Sequence, residues 1–287
     1  MAIILDGKKL SRQLREELKT RVDRLRERGV TPGLSVIRVG DDAASEVYVR
    51  NKARMCERLG MYSTVLHLPE STTQEQLLAH IDAMNQDESL HGILVQLPLP
   101  SHIREDAVTA RIDPKKDVDG FCSESLGALL KGEEGFVPCT PKGILRLLDS
   151  ADIPLSGKRA VVVGRSMIVG KPVSLLLLSR DATVTVCHSR TKDLKAITRE
   201  ADVLIAAVGK PELLTGDFVK EGAVVVDVGI NRTKEGIKGD VHFESVAQKA
   251  AAITPVPGGV GAVTTAVLAA HVVQAAEKAA GLPEEEE

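Results

Sequence analysis

Short apolar runs rich in valine and isoleucine recur along this chain of 287 residues, with helical segments between them. In the second half the runs are "RAVVVG", "ATVTVCHS", "DVLIAAVG", "GAVVVDVG" and "AAITPVP". Runs that are almost wholly apolar and separated by helices are typical of parallel strands buried on both faces. The alternation therefore predicts an α/β fold whose second half is a Rossmann-like, doubly wound nucleotide-binding domain.

The first half of the chain shows the same alternation. We predict helices at 8–28, 43–59 and 71–85, and strands at 34–40, 62–68 and 92–100. Residues 113–143 are rich in glycine, proline and charge, which is typical of a domain junction and of a site wall. The prediction is thus a first domain at 1–140 and a second at 141–267.

Composition excludes several classes of partner. Hydrophobic residues make up 43% and charged residues 27%, as in an ordinary globular protein. Aromatic residues are only 2%, too few for the stacking that single-stranded nucleic acids require. The net charge is −3, so no basic field attracts DNA or an anionic membrane. We therefore expect neither nucleic acid nor a membrane as a partner.

The four cysteines are far apart and form no C-x-x-C pair, which favours reduced thiols over a disulfide frame. The seven histidines are dispersed, and no H-x-x-x-H pair or H-E-x-x-H helix occurs, so we predict no metal site. The start "MAIILDGKKL" does not match a signal peptide, and 260–276 is better explained as a buried helix than as a membrane span. These features predict a cytoplasmic location.

The segment "VVVGRSMIVGKP" joins an apolar strand to a helix through two glycines, Gly164 and Gly170. The amino end of a helix can bind a pyrophosphate, although the usual G-x-G-x-x-G pattern is missing here. Arg165 and Ser166 stand where that pattern would begin, and together they can clamp a further phosphate. The alternative is a tight connection with a solvated arginine.

The next strand of this unit ends in "CHSRT" and lacks the acidic residue that binds the ribose 2′-hydroxyl of NAD. His188, Ser189, Arg190 and Thr191 can instead donate hydrogen bonds to a 2′-phosphate, and none would repel it. The sequence therefore predicts NADP as the cofactor. The alternative is again that Arg190 is merely solvated.

Tyr48 and Lys52 in "ASEVYVRNKARMC" are four residues apart and share one helix face, where they could position a ring and move a proton. The alternative is a packed tyrosine beside a surface lysine. The same spacing occurs in short-chain dehydrogenases, but there the pair follows the nucleotide loop instead of preceding it. Gln96 is a polar residue at the end of an apolar strand, and a buried polar group needs a hydrogen-bond partner. Either a ligand or Lys52 could be that partner.

Two loops add candidates. "KDVDGF" places Asp117 and Asp119 beside a glycine, where turn formation or helix capping is the alternative to ligand binding. "TPVPGGVGAVTT" combines rigid prolines with flexible glycines, which suggests a ligand approached closely by the main chain. The alternative for this second loop is simply the start of a helix.

Taken in order, nine segments of the chain resemble the bifunctional methylenetetrahydrofolate dehydrogenase/cyclohydrolase (FolD) family. They are "VGDDAASEVYVRNK", "GILVQLPLP", "DPKKDVDGF", "PCTPKG", "VVVGRSMIVGKP", "AAVGKP", "VVDVGINR", "GDVHF" and "TPVPGGVGAVTT". Any one of them is a weak signal, but the ordered set covers nearly the whole chain and is highly specific.

The resemblance implies two α/β domains with a cleft between them, and a last helix at about 268–287 that returns to the first domain. It implies NADP-linked oxidation of 5,10-methylenetetrahydrofolate to the 5,10-methenyl form, followed by hydrolysis to 10-formyltetrahydrofolate. Tetrahydrofolate derivatives would be the partners, and the protein would be a homodimer.

The resemblance also implies roles for individual residues. Lys52 would be the catalytic amine, Gln96 would orient it, and Tyr48 and Asp119 would bind the aminobenzoate ring and the pterin. The other substrate-binding residues would be Leu97, Pro257, Gly258 and Gly259. The cofactor-binding residues would be Gly164, Arg165, Ser166, Ile168, Val169, His188, Ser189, Arg190, Thr191, Gly209, Gly229, Ile230 and Thr264.

The chain departs from the family pattern P-G-G-V-G-P-M-T, because Ala262 and Val263 replace the proline and methionine before Thr264. Alternatives to the bifunctional enzyme are a monofunctional or NAD-using member of the family, and a different NADP dehydrogenase. A nucleotide-binding regulator without catalysis is a further alternative, although the retained Lys52 argues against it.

Overall fold

A computed structural model describes residues 2–282 of the chain. Its helices and strands are, in chain order, β1 (Ile3–Ile4), α1 (Gly7–Glu27), β2 (Gly33–Val39), α2 (Ala43–Leu59), β3 (Tyr62–Leu68), α3 (Gln74–Gln86), β4 (Gly92–Val95), α4 (Glu105–Thr109), α5 (Ser123–Lys131), α6 (Cys139–Asp149), β5 (Arg159–Val163), α7 (Gly170–Leu178), β6 (Thr183–Cys187), α8 (Leu194–Thr198), β7 (Val203–Ala206), a 3-10 helix (Gly216–Phe218), β8 (Val224–Asp227), β9 (Asn231–Thr233), β10 (Gly236–Lys238), α9 (Phe243–Ala247), β11 (Ala252–Ile253) and α10 (Val260–Ala279).

The chain forms two compact units. Among the described residues, one unit comprises residues 13–137 and 265–282 and is called here the three-stranded unit. The other comprises residues 2–12 and 138–264 and is called the six-stranded unit. The two-domain α/β class predicted from the alternation of strands and helices is therefore present.

The sheet of the three-stranded unit has the order β3-β2-β4, and all its strands are parallel. Ile37 of the central strand lies opposite Leu66 and Val95. Together with Leu77 and Ile81 of α3, Ile37 belongs to a fully buried apolar cluster. Burial of such aliphatic side chains is the main force that holds α3 on the sheet.

The sheet of the six-stranded unit has the order β1-β11-β8-β7-β5-β6, again with every neighbouring pair parallel. The chain runs from β5 outward to β6 and then returns to β7 on the opposite side of β5. The order of strands therefore reverses between β5 and β7. In open parallel sheets, ligands bind at the carboxyl ends of strands at such a switch point.

The first residues of the chain differ from the sequence-based division at residue 140. Ile3 and Ile4 pair in parallel with Ala252 and Ile253, so the chain begins as an edge strand of the six-stranded sheet. This strand has only two residues, and its partner lies some 250 positions away. Nothing local in the sequence indicates it.

Helix α5 lies inside the glycine- and proline-rich segment that we interpreted as a junction. The Sγ atom of Cys122 accepts a hydrogen bond from the Ser125 amide at its start, and Gly132 ends it with a φ of 71°. A cysteine is an unusual helix cap, since Ser, Thr, Asp and Asn are the preferred residues, which is why the start of this helix was missed.

Within the described residues, one helix, α10, is long and apolar enough to cross a membrane, and 72% of its apolar window is buried in the structure. His271 on this helix shares a hydrogen bond of 2.8 Å with the carbonyl oxygen of Val118. These contacts agree with the interpretation of this segment as a buried helix.

All four cysteines are buried, and none of them forms a disulfide. Burial raises the pKa of the Cys56 thiol to about 12 and that of Cys122 to about 11. A thiol with so high a pKa carries almost no thiolate at neutral pH and is chemically inert.

Candidate active site

Helix α2 carries Tyr48 and Lys52 on one face. Its amino end is fixed by Asp42, whose carboxylate accepts a hydrogen bond of 2.7 Å from the Ser45 amide. Gly60 ends the helix in the left-handed conformation, with a φ of 77°. Tyr48 is 40% exposed and Lys52 is half-buried, so both side chains are accessible to a ligand.

Gln96 lies directly beyond the carboxyl end of β4, and its amide nitrogen continues the sheet by donating to the carbonyl of Ile37. Its side-chain Oε1 accepts a hydrogen bond of 3.0 Å from Lys52 Nζ. Its Nε2 donates to the carbonyl of Leu97 at 2.8 Å. Because this second contact fixes the orientation of the amide, an oxygen and not a nitrogen faces the amine. The structure thus pairs Gln96 with Lys52, one of the two partners considered for it.

The two aspartates of "KDVDGF" have different surroundings. Asp117 is 2% exposed and accepts hydrogen bonds from the amides of Phe121 and Cys122 and from the Ser125 hydroxyl. These contacts fix the start of α5, which is the capping role given as the alternative. Asp119 is only half-buried and precedes Gly120, whose φ is 76°. Asp119 is therefore the carboxylate of this loop that a ligand can reach.

Glycines shape the switch point of the six-stranded sheet. Gly164 follows β5 with a φ of 133°, and a Cβ atom there would lie 2.1 Å from the carbonyl oxygen of Ala207. A Cβ atom at Gly170 would lie 2.3 Å from the carbonyl oxygen of Gly164. Only glycine fits at either position, so the loop after β5 can pass close to both β7 and the start of α7.

The amino end of α7 lies against this loop. Ser166 Oγ accepts hydrogen bonds from the amides of Val169 and Gly170 at 3.2 and 3.4 Å. Arg165, Ser166 and Ile168 are exposed, and the guanidinium of Arg165 forms no hydrogen bond or ion pair with any other described residue. The residues predicted to bind a phosphate are therefore at the surface, beside the positive end of a helix.

The loop after β6 lies next to them, because β6 is the neighbour of β5. Thr191 Oγ1 accepts from the His188 amide at 2.8 Å, and His188 Nδ1 accepts from the Arg190 amide at 3.2 Å. Ser189 and Arg190 are exposed, and no hydrogen bond or ion pair of the Arg190 guanidinium is found within residues 2–282. The loop is thus held by hydrogen bonds between its own side chains and its own backbone amides, which leaves the cationic side chain of Arg190 available.

The loop "TPVPGGVGAVTT" packs closely on the start of the chain. A Cβ atom at Gly7 would lie 1.9 Å from the carbonyl oxygen of Gly259, and Gly258 has a φ of 111° and accepts a hydrogen bond from the Lys8 amide. Pro257 is exposed, and Thr264 Oγ1 lies 3.3 Å from Thr140 Oγ1. These residues belong to the six-stranded unit, whereas the other predicted substrate-binding residues belong to the three-stranded unit.

Two buried carboxylates behind the cofactor loops were not assigned a role from the sequence. Asp240 accepts hydrogen bonds from the amides of Val208 and Gly209 at 2.5 and 3.0 Å. Asp227 accepts from the amide of Gly229 at 2.9 Å. Both lie within motifs of the family resemblance, "VVDVGINR" and "GDVHF", but their partners become apparent only once the strands are adjacent.

A cavity of about 1200 Å³ opens near the amino ends of β2 and β4 in the three-stranded unit. Leu90, His91, Phe136 and Ala275 are among its lining residues, and no predicted site residue is. Gln96 lies at the carboxyl end of β4, so this cavity does not contribute to the candidate site.

Among the described residues, Glu212, His242 and Glu244 bring their ligating atoms within 4.8 Å of one another. The ammonium of Lys238 lies 2.9 Å from the Glu212 carboxylate, and His242 Nδ1 lies 2.9 Å from Ser245 Oγ. These contacts account for the cluster without a cation, and we propose no metal site there.

Comparison with known proteins agrees with this geometry. The family model described as "Tetrahydrofolate dehydrogenase/cyclohydrolase, catalytic domain" matches residues 5–119, and the model of its NAD(P)-binding domain matches residues 138–280. The chain belongs to the tetrahydrofolate dehydrogenase/cyclohydrolase family. The family predicted from the order of the motifs is confirmed.

Relatives are similar over almost their whole length. The "Bifunctional protein FolD" of Moorella thermoacetica is 59% identical over 278 residues, which cover 96% of this chain and 99% of the relative. The crystal structure of a bifunctional FolD enzyme from Campylobacter jejuni is 51% identical, with a TM-score of 0.96 and coverage of 97% and 99%. The FolD of Trypanosoma brucei, solved with NADP and an inhibitor, is 38% identical with a TM-score of 0.93, covering 97% of this chain and 98% of that one.

These matches also confirm the predicted α/β class with a Rossmann-like domain and, at the level of the family, the predicted dehydrogenase and cyclohydrolase. A nicotinamide cofactor, predicted as NADP, agrees with the NAD(P)-binding domain model and with the NADP bound in the Trypanosoma enzyme.

Proposed function

We propose that this protein oxidises 5,10-methylenetetrahydrofolate with NADP and then hydrolyses the methenyl product to 10-formyltetrahydrofolate. The observation that carries the proposal is the hydrogen bond of 3.0 Å between Lys52 Nζ and Gln96 Oε1, beyond the carboxyl end of a parallel strand. It places a basic amine, with its orientation fixed, where α/β sheets bind substrates. Tyr48 on the same helix supplies an aromatic face for the folate.

The loops after β5 and β6 suit a dinucleotide that carries an extra phosphate. Gly164 and Gly170 leave room for a close approach of the main chain, and Arg165 and Arg190 offer two exposed guanidinium groups. An arginine donates forked, charge-assisted hydrogen bonds to a phosphate. When bound, NADP supplies the hydride acceptor of the first reaction.

Loss of hydride from the methylene carbon leaves a cationic amidinium on the folate. A protonated Lys52 would be repelled by this cation, so the amine acts in its neutral form. In the hydrolysis the oxygen of a water molecule bonds to the methenyl carbon, and Lys52 takes the proton that the water releases. The bond from that carbon to N5 then breaks, and the remaining hydroxyl proton passes to N5.

The proposed role of Asp119 is to bind the amino-pyrimidinone edge of the pterin. A carboxylate can accept two parallel N–H bonds from that edge, which orients the ring without taking part in the chemistry. Asp119→Ala should raise the KM for folate at nearly unchanged affinity for NADP. An unchanged folate KM would remove Asp119 from the site.

The hydrolysis can be tested separately from the oxidation, because it consumes only water. Purified protein given 5,10-methenyltetrahydrofolate without any nucleotide should produce 10-formyltetrahydrofolate faster than buffer alone. If the protein adds nothing to the spontaneous rate, the cyclohydrolase half of the proposal is wrong.

The oligomeric state and location are proposed on the family resemblance alone. The protein would form a homodimer through its six-stranded unit and act in the cytoplasm. Light scattering of the purified protein should then give a mass of about twice 30.7 kDa. A mass of one chain would contradict the dimer.

A further inference from the structure

Two buried aspartates, Asp227 and Asp240, hold the loops that follow β7 and β8. Asp240 is fully buried and lies just after β10. Its Oδ2 accepts hydrogen bonds from the amides of Val208 and Gly209, and its Oδ1 accepts from the Lys210 amide at 3.0 Å. One carboxylate thus fixes three successive amides of the loop after β7.

The same carboxylate also holds the loop after β8. Oδ1 of Asp240 accepts a further hydrogen bond of 2.8 Å from Asn231 Nδ2. Asn231 directly follows Ile230, which is 45% exposed and is one of the predicted cofactor residues. Asp240 therefore connects two loops that both lie at the carboxyl edge of the sheet.

Asp227 in turn fixes Asp240. It is 3% exposed, and its Oδ1 accepts from the amides of Gly229 and Asp240, both at 2.9 Å. Its Oδ2 accepts from the Val241 amide, also at 2.9 Å. We call Asp227 and Asp240 the carboxylate clasp.

Two glycines make the clasp sterically possible. A Cβ atom at Gly239 would lie 1.8 Å from Asp227 Oδ2, and one at Gly229 would lie 2.4 Å from Asp240 Oδ1. Any side chain at these positions would displace a carboxylate from its amides. The glycines of "VVDVGINR" and "GDVHF" are thereby explained by the clasp and not only by the cofactor.

The clasp is buried, and its partners include backbone amides and the side chain of Asn231, so it has no direct contact with a reacting atom. Its effect is on the path of the main chain at residues 208–210 and 229–231. Charge-assisted hydrogen bonds to a buried carboxylate are about twice as strong as neutral ones, and a carboxylate offers only acceptors. A neutral amide in its place would turn an N–H donor toward other N–H donors.

We propose that Asp240, held by Asp227, is a positioning residue for the nicotinamide cofactor. It fixes the two loops at the switch point so that Gly209, Gly229 and Ile230 present one preformed surface to the dinucleotide. The inference rests on the proposed function, since it requires that these loops bind the cofactor.

Asp240→Asn tests the proposal, because it keeps the shape of the side chain, removes its negative charge and replaces one of its two acceptor oxygens with an N–H donor. NADPH binding, followed by the fluorescence of the nucleotide without folate, should weaken about tenfold or more. Hydrolysis of 5,10-methenyltetrahydrofolate without nucleotide depends on Lys52 and Gln96 in the other unit, so it should stay within about twofold of wild type. A general loss of structure would lower both.

Asp217→Asn is the matched control, since Asp217 is an exposed aspartate of the same unit whose side chain pairs with Lys195. This variant should bind NADPH as the wild type does. Should Asp240→Asn fail to fold, Asn231→Ala removes one hydrogen bond from the clasp and should weaken NADPH binding about threefold or more.

If a folded Asp240→Asn protein binds NADPH as tightly as the wild type, the proposed role of the clasp is wrong and the proposed function of the protein is unaffected. If that variant does not fold, the same result with Asn231→Ala leads to the same conclusion. Equal losses of NADPH binding and of hydrolysis would also overturn the proposed role of the clasp, since they indicate a general structural role. Failure of the wild-type protein to bind NADPH overturns the proposed function and the clasp together.

Discussion

The ammonium nitrogen of Lys52 lies 3.0 Å from the amide oxygen of Gln96, whose nitrogen donates to the carbonyl of Leu97. An amide oxygen accepts a hydrogen bond from an amine in either protonation state. A carboxylate at the same place would instead favour the charged ammonium. The glutamine therefore orients the amine of Lys52 without adding a negative charge beside it.

Removing the amine should abolish hydrolysis. Lys52→Met or Lys52→Gln should lower cyclohydrolase activity roughly 100- to 10,000-fold, which is the usual contribution of a general base. Folate binding should persist, because Tyr48 and Asp119 remain. Formation of 10-formyltetrahydrofolate from the methenyl substrate measures the loss, and Lys19→Met, an exposed lysine of α1, is the control. Full hydrolysis by either variant would refute the assignment.

Changing the partner of Lys52 should change the pH dependence of hydrolysis. Gln96→Glu places a negative charge beside the amine, which holds the proton on it and should lower hydrolysis at neutral pH about tenfold or more. Activity should recover as the pH rises and the ammonium loses its proton. Gln86→Glu, at the exposed end of α3, controls for the added charge. A pH–rate profile equal to that of the wild type would contradict the role of the amide.

The arginine after β5 should discriminate between the two nicotinamide cofactors. Arg165→Ala should weaken the binding of NADP about ten- to hundredfold, because it removes a charge-assisted contact to the 2′-phosphate. The binding of NAD, which lacks this phosphate, should change much less. Steady-state KM values for both cofactors measure this difference. The control variant Arg159→Ala, at the opposite end of β5, should leave the KM values for both cofactors unchanged. An equal loss for NADP and NAD would rule out a contact with the 2′-phosphate.

Asp227 should make stability depend on pH. Burial raises the pKa of Asp227 from 3.8 to about 6, against the effect of its amide hydrogen bonds. The native state therefore holds this proton more tightly than the unfolded chain does. The resulting contribution to stability is complete below pH 3.8 and is lost as the pH rises through about 6.

Chemical denaturation of wild type and Asp227→Asn measures this contribution as a difference in the free energy of unfolding. The difference, wild type minus variant, should decrease from about pH 4 to about pH 7. The contribution of Asp202 to the free energy of unfolding depends on pH with the opposite sign, because a hydrogen bond from Lys220 lowers the pKa of its carboxyl group. The matching difference for Asp202→Asn should stay nearly constant above about pH 5 and should fall as the pH drops below 3.8. Parallel slopes for the two variants would contradict the buried position of Asp227.

Much of the fold follows from local patterns in the sequence. The helix at Ala43–Leu59 and the strand at Tyr62–Leu68 have the predicted bounds, because a helix start, a left-handed glycine and an apolar run each act locally. The strand at Gly92–Val95 is shorter than the apolar run "GILVQLPLP" that predicted it, and the polar Gln96 follows it. Strand β1 was missed because only its pairing with β11, far along the chain, defines it.

As with the fold, local sequence patterns predict one part of the site, and contacts between residues far apart in the chain determine the rest. The face shared by Tyr48 and Lys52 is a consequence of helical spacing and was predictable. Lys52 was one of two partners considered for Gln96, and only the packing of α2 on the three-stranded sheet decides between them. The hydrogen bonds of Asp240 reach backbone amides that lie 30 to 32 residues earlier in the chain, so no local pattern indicates them.

One product-resolved assay tests the central claim most directly. The purified protein is mixed with 5,10-methylenetetrahydrofolate and either NADP or NAD, and the reduced cofactor, the methenyl product and the 10-formyl product are followed separately. The account predicts rapid reduction of NADP, slower reduction of NAD, and accumulation of 10-formyltetrahydrofolate. Reduction that stops at the methenyl product, or no turnover with either cofactor, would contradict it.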